Sequence, residues 1–436
     1  MRNTSYYISC LLFLFPLSLD AFAPFGLSTR ETSILLVRSS TNNNVAPTIL
    51  EKDEKKLPYE EESRRYRRTF YDSRADWIDH RSNERFLENL WKTYSSGLVR
   101  GLSKEIGTVF LISLGVCFYN DVFINGWQDF AGNMHNPINI IGNIRMPLAE
   151  LPLTPFTLSS GSLGLLLVFR TNASYARWME ARTRWSACVN HSRNLVRLGA
   201  AWVNKDLPVE TQRSLLKNLA DCTWAYSRCL QRHFLGPQED EAAFCMSVKD
   251  RLSPELADKL IEAHHKPIRA IYELTKAVNA FPLSDHLHVE MDVAVEHLSD
   301  VLGGCERIYS SPVPLVYTRH TERFLGFWIL ALPLSLYPSF EDSWNHVGLL
   351  PAAILIAFFF FGIEELAIQL EEPFSILPME QLVNRIESSI DSTIQWHFED
   401  LEAEQKAAAA AASDVVNGEK RRMVPFIGRK NNDEND

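Results

Sequence analysis

Four apolar stretches, separated by connections whose arginines are sorted to one side, constrain this chain more than any other feature. The stretches are Gly107–Ile124, Leu151–Phe169, Phe324–Tyr337 and Val347–Ile363. Each is at or below the length a bilayer span needs, so length alone would also allow buried helices of a soluble protein. The flanks decide between the two. Lys92, Arg100 and Lys104 precede the first stretch; Arg170, Arg177, Arg182, Arg184, Arg193 and Arg197 follow the second; Arg307, Arg319 and Arg323 precede the third. Residues 125–150 carry only Arg145, and residues 338–346 carry no Lys or Arg. If all four cross, every arginine-rich flank falls on one face, with both termini on that face, as the positive-inside rule requires. The expectation is an all-α membrane protein with four transmembrane helices at about 107–124, 151–169, 324–337 and 347–363.

Residues 171–318 then form an inner domain. Leu195, Leu198 and Trp202 recur at helical spacing, as do Leu287, Met291, Val295, Leu298 and Leu302, so this domain is expected to be helical. Asn120 and Asp121 close the first stretch and are expected at the membrane interface, where polar groups reach water. Past residue 396 the chain reads as a disordered tail, 397–436.

The first 75 residues read as an address and a linker. Arg2, the apolar run Tyr6–Leu19 and the small residues after it describe a signal peptide, 1–23; Arg30, Arg38 and many hydroxyl residues describe a transit peptide, 24–50. The core Ala21-Phe22-Ala23-Pro24 resembles the signal/transit junction of plastid precursors in algae with secondary plastids. Residues 51–75 are a charged linker.

A net charge of −10, with no Lys/Arg-rich face alternating with aromatics, argues against nonspecific nucleic-acid binding, and no nucleic-acid partner is expected. The seven cysteines include no Cys-x-x-Cys pair and read as buried thiols. No phosphate-cradling glycine loop or nucleophile elbow occurs, and His286, His288 and Glu290 fall on different helix faces, so an enzyme is not expected.

The second stretch carries the candidate site. Thr154 and Pro155 suit a helix start, and a helix N-terminus attracts anions through its free N–H groups. The hydroxyls of Thr157, Ser159, Ser160 and Ser162 offer donors to an approaching anion. Gly161, Leu165 and Phe169 recur every four residues, with Leu158 and Ser162 on the same stripe. Facing the axis of an oligomer, that stripe would form a hydrophobic neck. Spacing alone favours the plainer reading, in which small residues pack one helix on another.

The phrase from Leu163 to Arg182, together with Trp185, Asn190, Arg193–Arg197, Pro314–Arg319 and Glu371–Phe374, resembles the bestrophin family. It is most similar to the plastid branch that includes the thylakoid voltage-dependent chloride channels. The resemblance covers about 76–396 and implies a homopentamer around one central pore, with long helices reaching into an inner, stromal domain. It implies neck positions at Phe169, Leu165 and Gly161, where Gly161 is smaller than the family's usual residue and Ser162 is the alternative lining residue. It places an inner aperture near Val289. The family's calcium-binding aspartate run is missing after the fourth stretch, leaving Glu371 and Glu372 as weak cation candidates; no cofactor is expected. The implied activity is chloride conduction across the thylakoid, balancing proton-motive force. Bicarbonate conduction (with nitrate a further candidate ion) and a non-conducting membrane scaffold are the alternatives.

Overall fold

The structure is a computed structural model that describes residues 68–92, 97–138, 146–236 and 239–422. The expected signal peptide, transit peptide and linker residues up to 67 lie outside the described residues. In chain order the helices are α1 (Arg74–His80), α2 (Arg85–Lys92), α3 (Gly97–Gly101), α4 (Ser103–Asn120), α5 (Thr154–Trp202), α6 (Val209–Leu235) and α7 (Glu241–Arg251). They continue with α8 (Pro254–Glu262), α9 (Lys266–Asn279), α10 (Asp285–Ser310), α11 (Leu315–Leu336), α12 (Leu349–Glu371) and α13 (Met379–Arg422). The described β structure is one two-residue hairpin, β1 (Trp127–Gln128) antiparallel to β2 (Met134–His135), with Trp127 opposite His135.

The chain divides into two compact units. The first holds residues 82–172 and 314–368: α2 to α4, the hairpin, the first part of α5, α11 and most of α12. One buried apolar cluster joins Val109, Leu163, Leu167, Leu325, Ile329, Ala353 and Ala357, one or two from each of α4, α5, α11 and α12, and a second joins Val116, Cys117, Tyr337 and Leu349. Among the described residues, three stretches are long and apolar enough to cross a membrane: Ser103–Asn125, Leu315–Phe340 and Trp344–Glu371. Each runs beyond the bounds expected from sequence. The start of α5 is not among them, because its hydroxyls and Arg170 dilute its apolar character.

At one end of this unit, α4 passes into a π-helical turn at Asp121–Asn125. Here Asn120 and Asp121 do not reach water as expected, since both are buried. The Asn120 side chain accepts from the Ala149 N–H at 2.8 Å and donates to its carbonyl at 3.0 Å. Asp121 Oδ1 accepts from the Tyr337 hydroxyl at 2.5 Å and lies 2.8 Å from His346 Nδ1. Hydrogen bonds inside the fold replace the water that the interface would have supplied. Asn345, with φ of 44°, clasps the backbone N–H and carbonyl of Gln128, both at 2.7 Å.

The second unit comprises residues 63–81, 173–313 and 369–436, described here from residue 68 to 422. It opens on α1, whose first turn is closed by a capping box: Ser73 Oγ accepts from the Asp76 N–H, and Asp76 Oδ2 accepts from the Ser73 N–H. Its core is one large cluster that includes Trp185, Leu195, Leu198, Leu219, Tyr226, Phe244, Leu274, Met291, Leu298, Phe374 and Ile386. Each such fully buried side chain contributes about 1.5–3 kcal/mol. The periodicities at Leu195/Leu198 and Met291/Val295/Leu298/Leu302 lie in this core. α6 forms its middle, with buried residues along most of its length.

Residues 397–422, expected in a disordered tail, instead continue α13 as helix. The run Ala407–Ala412 explains this, because alanine has the highest helix propensity of any residue. All six cysteines in the described residues are free, and five are buried.

Candidate functional site

The first turns of α5 separate two faces. Leu163, Leu167, Arg170 and Ser174 are buried, at the 3-and-4 spacing of one helix side. The expected neck stripe lies on the other side. Leu158 is 78 % exposed, Leu165 55 % and Phe169 56 %, and Gly161 and Ser162 are also exposed. The structure therefore brings all five stripe residues together on one uncovered face of a single chain. A buried packing surface, favoured by spacing alone, belongs instead to the Leu163/Leu167 side.

The hydroxyls behave differently from expectation. Thr157 Oγ1 donates to the Thr154 carbonyl at 2.9 Å, Ser160 Oγ to the Thr157 carbonyl at 2.8 Å, and Ser159 Oγ to the Pro155 carbonyl at 2.7 Å. Ser159 Oγ also accepts from Trp328 Nε1 at 3.0 Å, which anchors α5 to α11 inside the first unit. The backbone N–H groups of Phe156 and Thr157 both bond the Leu153 carbonyl. Three of the four donors expected to greet an anion, Thr157, Ser159 and Ser160, are thus engaged within the helix, where serine and threonine readily bond the preceding turn.

Arg170 is the charged residue that sequence reasoning missed. It follows Phe169 directly, yet its side chain is only 1 % exposed. Its guanidinium pairs with Glu364 of α12 and with Glu322 of α11, the latter at 3.1 Å, and donates to the Thr318 carbonyl at 3.4 Å. A guanidinium suits this arrangement because its planar fork serves several acceptors at once. The signal was present in the sequence as one arginine and two glutamates inside or beside apolar stretches, where unpaired charge is costly.

In the second unit Arg177 is a backbone clamp. It donates to the carbonyls of Ile308 at 2.7 Å and Glu371 at 3.0 Å, and to that of Ser311. Glu371 in turn accepts from the Val313 N–H at 3.1 Å. Glu371 is thus engaged as a local anchor, and the Glu372 carbonyl accepts from Ser375. Val289, the expected inner aperture residue, is 59 % exposed on α10, on the side away from Met291, Val295 and Leu298.

A family model described as Bacterial/Fungal Bestrophin protein matches residues 76–392. The chain is 27 % identical over 327 residues to Voltage-dependent chloride channel 1, chloroplastic, of Arabidopsis thaliana, covering 73 % of this chain and 72 % of that protein. It is 28 % identical over 268 residues to a voltage-dependent anion channel-forming protein of Nostoc sp., covering 58 % of this chain and 81 % of the relative. A solved bacterial bestrophin homolog from Klebsiella pneumoniae superposes with a TM-score of 0.53 at 21 % identity, covering 69 % of this chain and 99 % of that one. With the family model spanning nearly all of the two helical units, the chain belongs to the bestrophin family.

Proposed function

We propose that the chain is the subunit of a passive, homopentameric anion channel in a plastid membrane, the thylakoid, conducting chloride down the electrical gradient. The observation that carries this reading is the two-faced start of α5. One side is buried against its own chain, and the other presents Leu158, Gly161, Ser162, Leu165 and Phe169 uncovered. Around a five-fold axis those faces line a neck, with the start of α5 as the fourth span. Phe169 presents a ring edge of partial positive charge to an ion, and the aliphatic wall favours anions that shed water easily. Because the hydroxyls of Thr157, Ser159 and Ser160 are spent on their own helix, the stripe itself carries the selectivity. Val289 lines a second, inner aperture. The names of the Arabidopsis and Nostoc relatives support the same reading.

The test is planar-bilayer recording of the purified chain in asymmetric chloride, then with bicarbonate substituted. The expected current reverses near the chloride potential, and Phe169→Ala raises unitary conductance while weakening the preference for weakly hydrated anions. A silent bilayer from correctly folded pentamers, across voltage, would overturn the channel and leave a scaffold.

A further inference from the structure

The second unit holds a cluster of metal-ligating side chains that the ion pathway does not use. His233 lies in the last turn of α6, His265 is the N-cap of α9, and Glu306 lies near the end of α10. His265 Nε2 is 2.9 Å from Glu306 Oε1, and His233 Nε2 is 3.7 Å from the same oxygen. The ligand atoms of all three lie within 4.8 Å of one another. We propose that His233, His265 and Glu306 bind one borderline divalent metal ion, zinc by ligand chemistry, tying together three helix ends that are distant in sequence.

The donor set decides the class of ion. Two imidazoles and one carboxylate, with a fourth position left to water, suit zinc, whereas calcium and magnesium demand oxygen ligands. In a tetrahedral zinc site with bonds of about 2.0–2.1 Å, ligand atoms sit about 3.3 Å apart. The 2.9 and 3.7 Å separations bracket that value. Closing the remaining edge takes only small side-chain rotations, which half-buried groups can make. The two ring centroids are 4.7 Å apart, and the Phe234 ring stands edge-on to His233 at 4.9 Å. The C-terminal dipoles of α6 and α10 favour a cation here, against the opposing N-terminus of α9.

One contact competes with the metal. His265 Nδ1 accepts from the Ile268 N–H at 3.4 Å, so its proton resides on Nε2 and points at Glu306. Metal at Nε2 shifts that proton to Nδ1 and gives up this long capping bond. The site is therefore one for reversible binding, weaker than a closed structural zinc centre.

The experiment is calorimetric titration of zinc sulfate into the metal-stripped full chain in detergent, with cobalt(II) chloride as a spectroscopic substitute. The expected result is one zinc per chain and the visible d–d absorption of four-coordinate cobalt. His233→Ala and the conservative Glu306→Gln, each verified as folded by circular dichroism, should weaken zinc binding by about tenfold or more. His297→Ala, at a separate stacked pair with His191, should leave it unchanged. Absence of stoichiometric zinc binding, equal affinity in all variants, or loss only in His297→Ala would each overturn the proposal.

Discussion

Arg170 and Phe169 are adjacent, yet one is sealed among carboxylates and the other is uncovered. The guanidinium holds α5 to Glu322 of α11 and Glu364 of α12, and that bond fixes the rotation of the helix that presents Phe169 on its other side. Arg170→Ala would remove the cation that pairs with Glu322 and with the buried Glu364, and breaking a buried ion pair from one side costs about 3–5 kcal/mol. Thermal unfolding in detergent should register the loss. Arg170→Lys should recover only part of it, because one ammonium cannot reproduce the planar fork. At this scale the sequence was half legible. Phe169, Leu165 and Leu158 could be assigned to one stripe from spacing. Arg170 was counted merely as a flanking charge, because its partners lie more than a hundred residues away and only tertiary structure brings them in. The hydroxyls' bonds were not legible for a related reason: composition shows a donor, but the donor's own helix supplies the nearest acceptor.

At the scale of elements, α5 crosses α6 where Gly199 lets a neighbour approach. A methyl group at position 199 would meet Leu219 Cδ2 at 2.4 Å, with Phe281 and Leu216 just behind it. Leu219 is fully buried, so its side chain gives way only by pressing on the surrounding core. Gly199→Ala gains about 1 kcal/mol in helix propensity. It loses about 1–3 kcal/mol to overpacking. The expected net effect is therefore a modest destabilisation, read as a lower melting temperature with helical content retained. Helices were the most legible elements, since apolar periodicity marked the core faces of α5 and α10 correctly. Their ends were not: α13 runs to Arg422 because an alanine-rich stretch reads as low complexity while strongly favouring helix. The burial of Asn120 and Asp121 was not legible because their partners, Ala149, Tyr337 and His346, come from three other places in the chain.

Across the whole molecule, the first unit packs into two small apolar clusters and the second into one broad core. That division suits one part in a membrane, where packing rather than water exclusion drives helix association, and one part stabilised by ordinary burial. The uncovered stripe of α5 needs an occupant, and the proposed one is the same face of four further copies. Native mass spectrometry of the full chain should find five subunits, and Leu165→Glu should leave fewer; a monomer at working concentration would remove the neck. The family was legible from the phrase around Phe169–Arg182 alone, whereas nothing in the sequence paired His233 with His265 and Glu306. The thiols carry one last consequence. Burial pushes Cys188, Cys222 and Cys229 up to about 12, Cys305 is likewise raised, and a protonated thiol is a poor nucleophile. Only Cys245 is partly open among the described cysteines. Once it is replaced by serine, the folded core should be nearly silent to maleimides, so single cysteines placed at Leu158, Leu165 or Phe169 would report in turn how far a water-borne reagent travels along the stripe.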